Sequence, residues 1–546
     1  MLDELAASSD LLCTAIERYS AACIAIRESF ERREIPHETS SQLTPRMSTE
    51  VQLATSLEVK LRGAKASLNW CRNQAIPHAT INSLPPELLS RIFHLVYRSR
   101  PCAKRDYASC SMSEPVYPKA LSLVCSRWRE VVFSLPALWT HIDISTSAPF
   151  NQQHLGGIVQ LHLSKVGQLP IDLHIFDPPG DDYGLSFKQY GPVRELTAQV
   201  ASRVISFDLD IEKRFDYHIH YNILETFIRS CAPGQLARIT LSQNSEGGHE
   251  LLNSDFGIPD VEHESFSLRR FEEILLHVSV LRLSRLFPSW SSRAYHGLVE
   301  LRIVHGRFPV PESDFTNMLR CSPDLRILQF NLSIINSLPV YYRPTPIPLI
   351  NLEVLNLSKL NYYELSTLLR WIAPGPKPLQ FAAAAQIGPR FTEENIKLFF
   401  LRSCITRVYV ANSPFFHILE LLTLLPDIQE LVLHGTFLDA GQDDLNEAVR
   451  SIPQRRLDGF HLATCGVDTT ILGLMSNSPL SIRLFTFHGC HFYHNGAYTP
   501  DGGVASHIKE LGKKYPSVKF TIKASEGPGS VKSWNLFASH EMPWAG

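Results

Sequence analysis

The chain has no surplus of charge. Its 52 Lys and Arg against 54 Asp and Glu leave a formal net charge of −2, so it lacks the positive field that draws phosphate backbones and releases their counterions, and nucleic acid is not expected as a partner. There is no apolar run of about 18 residues, the length that reads as a transmembrane helix, and no membrane association is expected. The opening MLDELAASSD is acidic and lacks a basic stretch followed by an apolar one, so it does not read as a secretory signal. No Cys-x-x-Cys pair occurs. The cysteines, Cys13, Cys23, Cys71, Cys102, Cys110, Cys125, Cys231, Cys321, Cys404, Cys465 and Cys490, are odd in number and scattered, which argues against a disulfide framework and a zinc ribbon. A reducing setting, cytoplasmic or nuclear, fits them. The Asn-x-Ser triplets at Asn331 and Asn356 are then chance matches.

Signatures of catalysis are missing as well. His249-Glu250-Leu-Leu-Asn253 begins like a zincin helix but ends in Asn where the second ligand must stand. No Gly-x-Ser-x-Gly elbow occurs, and Gly527-Pro-Gly529-Ser-Val-Lys-Ser533 lacks the spacing that wraps a phosphate. Cys125 falls on an apolar helix face, where a thiol is inert packing. The carboxylates from Asp439 to Glu447 suit the first turn of a helix better than an acid/base pair. The chain is not expected to be an enzyme, to carry catalytic residues or to need a cofactor. What it does have is a 44% hydrophobic fraction, 36 prolines and 546 residues, between three and four domains' worth at about 150 residues each.

Leu12, Ile16, Tyr19, Cys23, Ile26 and Phe30 are spaced as a helical stripe ending before Pro36. After a polar stretch, His37 to Ser48, a second stripe follows at Leu53, Leu57, Leu61, Ala64 and Leu68. Over residues 1–75 the pair is expected to fold as an antiparallel hairpin; a stripe of this kind could also serve a dimer. From Ile76 the text INSLPPELLSRIFHLVY starts a helix with proline in its first turn. Past a polar insert, Leu121, Val124, Cys125, Trp128, Val131 and Val132 form another helical face.

Leu84-Pro85-Pro86-Glu87-Leu88-Leu89 with Ile92-Phe93, then Val124-Cys125-Ser126-Arg127-Trp128-Arg129, closing on Leu138-Trp139, resembles an F-box of the kind abundant in fungal proteins. The resemblance spans about residues 78 to 145, and the insert from Arg98 to Val116 lengthens the link between its two halves. It implies a three-helix module over residues 76–145 that docks on the Skp-type adaptor of a cullin-RING ubiquitin ligase. By the same resemblance Leu84, Pro85, Leu88, Leu89, Ile92 and Phe93 form the first part of the adaptor-binding surface, and Val124, Cys125 and Trp128 the second. Each has a competing use in the module's own core.

Downstream, an apolar-x-x-apolar-x-apolar unit recurs at Leu298/Leu301/Ile303, Leu325/Leu328/Phe330, Leu352/Leu355/Leu357, Ile405/Val408/Val410, Ile428/Leu431/Leu433, Leu457/Phe460/Leu462 and Ile482/Phe485/Phe487, with a weaker copy at Leu379/Phe381. The mean step is (485 − 301)/7, about 26, inside the range of leucine-rich repeats. Faint copies at Leu236/Ile239/Leu241, Val278/Leu281/Leu283 and Val518/Phe520/Ile522 extend the array. Prolines 233, 323, 374, 426, 453, 479 and 516 precede strand centres, as helix stops would. Phe416 to Leu425 and Glu393 to Arg402 read as intervening helices. Only Asn244, Cys465 and Cys490 occupy the position that bonds backbone after the strand. This region resembles the irregular leucine-rich repeats that often follow an F-box.

Two histidine groups invite a metal reading and do not earn it. In His488-Gly-Cys490-His491-Phe-Tyr-His494 Cys490 is taken by the repeat turn and alternation scatters the imidazoles, while His218 and His220 would share a strand face only if that segment were extended. No metal site is expected. The fold class expected is α plus α/β: a helical hairpin, a three-helix F-box, an irregular leucine-rich-repeat solenoid over 146–525 and a tail over 526–546. The function expected is that of a substrate-receptor subunit of an SCF-type ligase, with an unidentified protein substrate on the solenoid; the alternative is a leucine-rich-repeat scaffold without ligase association.

Overall fold

The computed structural model describes residues 2–32, 37–75, 81, 84–99, 105–106, 111–112, 118–146, 152–177, 191–212, 215–244, 249–250, 268–306, 308–339, 341–384, 393–438, 445–494, 497–499 and 501–523. The tail from 526 lies outside them. The chain forms two compact units, Met1–Pro86 and Glu87–Gly546.

In the first unit α1 (Leu2–Glu31) and α2 (His37–Ala75) are long helices. The stretch read as a polar separator belongs to α2, with Pro45 inside the helix. A proline there removes one N–H from the ladder, and the helix-forming residues on either side carry the helix through it. The Tyr19 hydroxyl donates to a Glu50 carboxylate oxygen at 3.4 Å, linking the two helices. α1 buries none of its residues, and Leu12, Ile16, Tyr19 and Ile26 of its stripe stay exposed.

The second unit begins with α3 (Pro86–Ser99), the short α4 (Pro118–Ser122) and α5 (Ser126–Phe133). It continues as one sheet of 14 parallel strands in strict chain order. These are β1 (His141–Ser145), β2 (Ile171–Phe176), β3 (Val204–Ile211), β4 (Arg238–Gln243), β5 (Val280–Ser284), β6 (Glu300–Val304), β7 (Ile327–Phe330), β8 (Val354–Leu357), β9 (Leu379–Ala384), β10 (Ile405–Ala411), β11 (Glu430–His434), β12 (Gly459–Ala463), β13 (Leu484–His488) and β14 (Lys519–Lys523). Helices return the chain between most of them, including Glu394–Leu401 and Phe415–Leu424. A parallel pair needs such a crossover, and a sheet that never leaves chain order is a solenoid.

The predicted strand centres stand side by side. Leu301 pairs with Leu328, Leu328 with Leu355, Val408 with Leu431, Leu431 with Phe460 and Phe460 with Phe485. The faint copies join the same row through Ile239, Leu281 and Phe520. In the weak copy the register places Phe381, not Leu379, between Leu355 and Val408. Three strands escaped the pattern: their centres Ile142, Leu173 and Phe207 complete the row. Their spacings, 173 − 142 = 31 and 207 − 173 = 34, exceed the repeat range. The first strand also begins at His141, before the expected start of the solenoid.

The row and its i+2 neighbours pack against the helices in one continuous core. After several strands the chain turns through a left-handed residue, at Arg285, His305, Asn412, Gly435, Thr464 and Gly489. Glycine meets this demand without strain, and at Gly435 a Cβ would also strike the Asn412 amide oxygen at 2.4 Å. Not every proline is a helix stop: Pro374 ends a short strand, Ile372–Pro374, that pairs with Ile347–Leu349.

Arginines tie several repeats to the one before them. Arg203 donates to Leu169 O at 2.9 Å, Arg270 to Cys231 O at 2.7 Å, and Arg402 to Leu369 O at 2.6 Å and Ile372 O at 2.9 Å. Among the described residues, the most enclosed ion pair of an arginine or lysine is Glu312 with Arg370, whose guanidinium donates twice to Oε1, at 3.0 and 2.5 Å. Trp371 Nε1 also donates to that oxygen, Leu338 N donates to Oε2 at 2.6 Å, and Arg370 donates onward to the carbonyls of Leu338 and Pro339. A buried pair so fully hydrogen-bonded is stable only while both partners remain.

Two predictions follow from these ion pairs. Glu312→Gln leaves the Arg370 charge buried and is expected to lower unfolding free energy by about 3–5 kcal/mol in denaturant titration; an effect below about 1 kcal/mol would show that the pair is not enclosed. On the helix-free face, burial pushes the Glu300 carboxyl up, but Arg282 and Arg302 outweigh it and hold it below its ordinary value. Because the folded value is depressed, this stabilisation is present above the unfolded value of about 4.3 and fades as pH falls through the folded one. The stability gap between wild type and Glu300→Gln should therefore shrink on acidification below about pH 4, and a gap constant with pH would contradict the assignment.

Candidate partner-docking site

The apolar residues of α3 divide between two faces. Leu89, Phe93 and Tyr97 point into the unit, at the i, i+4 spacing that stacks side chains on one side of a helix. Leu88 and Leu95 lie on the other side, 49% and 62% exposed, with Ile92 half-buried between them. In the turn between α4 and α5, Leu123 and Val124 are 67% and 56% exposed. A small module that leaves four aliphatic side chains this open, while it closes Leu89 and Phe93 completely, offers apolar surface to something outside itself.

The two strips are tied together from beneath. Phe93 and Trp128 are 4.7 Å apart between ring centroids and tilted by 55°, inside the range of favourable aromatic pairs. Cys125 is the N-cap of α5, its Sγ accepting from Trp128 N at 3.4 Å, so its thiol fixes the start of the helix that carries the tryptophan. Arg129 Nε donates to Ser122 O at 3.1 Å and holds α5 to α4. Below, Trp139 is fully buried and donates from Nε1 to Val132 O at 3.0 Å. His162 packs edge-on against that indole and bonds Trp139 O through Nδ1 at 3.2 Å; burial pushes its imidazole below its ordinary value.

The residues singled out by sequence thus have different placements. Leu88 and Val124 are exposed, Ile92, Cys125 and Trp128 are partly covered, and Leu89 and Phe93 fill the core. Leu84 and Pro85 belong to the first unit, Leu84 half-buried and Pro85 exposed. The sequence motifs did not single out Leu95 and Leu123. Their signal was available in the i+7 spacing of Leu95 from Leu88 and in the position of Leu123 just before Val124.

The histidine groups resolve differently. His488 is buried, His491 is exposed, and His494 bonds the Thr469 hydroxyl at 2.8 Å through Nδ1. Cys465 and Cys490 serve the repeat turns as their positions suggested, Cys465 Sγ donating to Leu433 O at 3.5 Å and Cys490 Sγ to Leu462 O at 3.4 Å. Tyr217–Tyr221 is a π-helical turn, not a strand, so His218 and His220 do not share a strand face; His220 Nε2 instead meets Asp177 Oδ1 at 3.2 Å. On β1 and β2, His141 Nε2 and His174 Nδ1 each lie 2.8 Å from Asp143 Oδ1. The sequence motifs gave no hint of this group, because its members come from two strands joined only by sheet register.

No helix among the described residues is long and apolar enough to cross a membrane. No curated protein matches the chain. Residues 81–145, which hold α3, α4, α5, the Phe93–Trp128 contact and β1, match the F-box-like family, and this segment is an F-box-like domain followed by a solenoid-like parallel sheet.

Proposed function

We propose that the protein is the substrate-receptor subunit of an SCF-type cullin-RING ubiquitin ligase. Its F-box-like domain binds a Skp-type adaptor through Leu88, Ile92, Leu95, Leu123 and Val124; Leu84 and Pro85 of the same motif lie in the first unit and are left out of this surface. The observation that carries this reading is the exposed aliphatic surface on a domain of that family. Leu89, Phe93, Cys125 and Trp128 act by holding α3 and α5 in the geometry that presents it. Aliphatic anchors on rigid helices suit a helix-in-groove interface.

The solenoid holds the protein target on the face of the sheet that its helices leave open. That face carries a polar, charged group on β5 to β7, where Arg282 and Arg302 meet Glu300 at 2.8 and 2.6 Å and Arg302 reaches Gln329 at 2.8 Å. The chain forms and breaks no bonds itself. Tethering the target beside the ligase makes ubiquitin transfer effectively intramolecular.

Co-purification of the full chain with a Skp-type adaptor tests the reading. Wild type should form a stoichiometric complex, and the triple variant Leu88→Ala, Leu95→Ala, Val124→Ala, whose side chains are outside the core, should keep its circular dichroism and bind roughly tenfold or more weakly. A folded wild-type chain that binds no adaptor would leave the leucine-rich-repeat scaffold as the function.

A further inference from the structure

Where the F-box-like match ends, β1 places His141 and Asp143 two residues apart on the same side of the sheet, and the parallel register sets His174 of β2 directly opposite Asp143. The three side chains are 10%, 2% and 8% exposed. Their donor atoms lie within 4.8 Å of one another, and both imidazole nitrogens face the same carboxylate oxygen. Asp143 thus stands as a nearly fully buried carboxylate between two imidazoles.

Further carboxylates surround it. Asp172 stands opposite His141 in the register and pairs with Arg238 at 2.8 Å, and Asp208 stands opposite His174 on the next strand. Metal–ligand distances to imidazole nitrogen and carboxylate oxygen are about 2.0–2.2 Å. A cation at that range from all three donors would require the two imidazoles to turn from the carboxylate oxygen toward a common point. Each N–H···O bond is then exchanged for a nitrogen–metal bond, with the imidazole carrying its proton on the other ring nitrogen.

We infer that His141, Asp143 and His174 form a binding site for a divalent first-row transition metal, Zn²⁺ foremost, which pins the last strand of the F-box-like segment to the first strand that follows it. Two imidazoles and a carboxylate with no thiolate suit Zn²⁺ and its neighbours and not Mg²⁺ or Ca²⁺. Two of the ligands lie within residues 81–145 and the third beyond them, so the cation would stiffen the junction between the F-box-like segment and the strands that follow it. The inference stands on this geometry and does not depend on the ligase reading.

The test uses the full chain, stripped with chelator and titrated with Zn²⁺ by calorimetry and with Co²⁺ by visible absorption. Wild type should take up one equivalent of Zn²⁺ and give a Co²⁺ spectrum free of thiolate charge-transfer bands. His174→Ala and the near-isosteric Asp143→Asn, each checked by circular dichroism, should bind roughly tenfold or more weakly, while His491→Ala with His494→Ala should leave uptake unchanged. The inference is overturned if the folded wild type binds no metal or if uptake persists in Asp143→Asn. It is equally overturned if uptake disappears with His491 and His494, or if a thiolate band shows the cation sitting at Cys465 and Cys490.

Discussion

Each strand of the sheet has its backbone donors and acceptors satisfied only by the strands before and after it in the chain, and this parallel pairing is the constraint on which the rest of the second unit depends. Unpaired N–H and C=O groups at the centre of a protein are costly, so the repeats must stack in register. A shift of one residue would turn every core side chain to the other face. The row from Ile142 through Leu301, Leu355 and Phe460 to Phe520 is the visible result. The arginine bonds to preceding-repeat carbonyls and the left-handed turn residues both serve the same alignment. One fixes the helix side of each repeat and the other fixes the point at which the chain leaves the sheet.

At the front of the same unit the problem is how to divide few apolar residues between folding and binding. α3 solves it by periodicity: positions i, i+4 and i+8 from Leu89 go inward, and Leu88 and Leu95 stay outside. α5 solves it with one aromatic, Trp128, whose ring rests on Phe93 while part of it stays accessible. Trp139 then closes the module and leads directly into β1, so the F-box-like segment and the solenoid share a continuous backbone ladder.

The two faces of the sheet carry different chemistry for the same reason. Centre positions point to the helices and are apolar throughout, whereas the alternating positions are largely polar on the N-terminal strands and form an apolar cluster at Val354, Ala382, Tyr409, Ala411 and Val432. Ion pairs such as Arg282–Glu300–Arg302 lie along the strands' open side. Binding there would be spread across many shallow contacts, as suits a protein partner more than a small molecule.

Much of this organisation was written locally in the chain. The Leu-Pro-Pro-Glu-Leu-Leu start, the Val-Cys-x-x-Trp-Arg helix and the apolar-x-x-apolar-x-apolar strands are short-range patterns, because helix and strand periodicity reside within a few residues. They sufficed for the F-box-like domain, the strand centres from Ile239 onward except that of β9, and the backbone-bonding roles of Cys465 and Cys490. Tertiary structure alone decided what depends on distant neighbours. It admitted β1 to β3, whose long connections break the period but whose edges still pair. It carried α2 through Pro45, since one lost N–H is small against a helix of 39 residues, and it moved the centre of β9 from Leu379 to Phe381. It set Leu89 and Phe93 inside and Leu95 and Leu123 outside, and it brought His141, Asp143 and His174 together across two strands. A sequence states which residues lie near each other along the chain, but exposure and convergence are properties of packing, which exist only once the repeats have stacked.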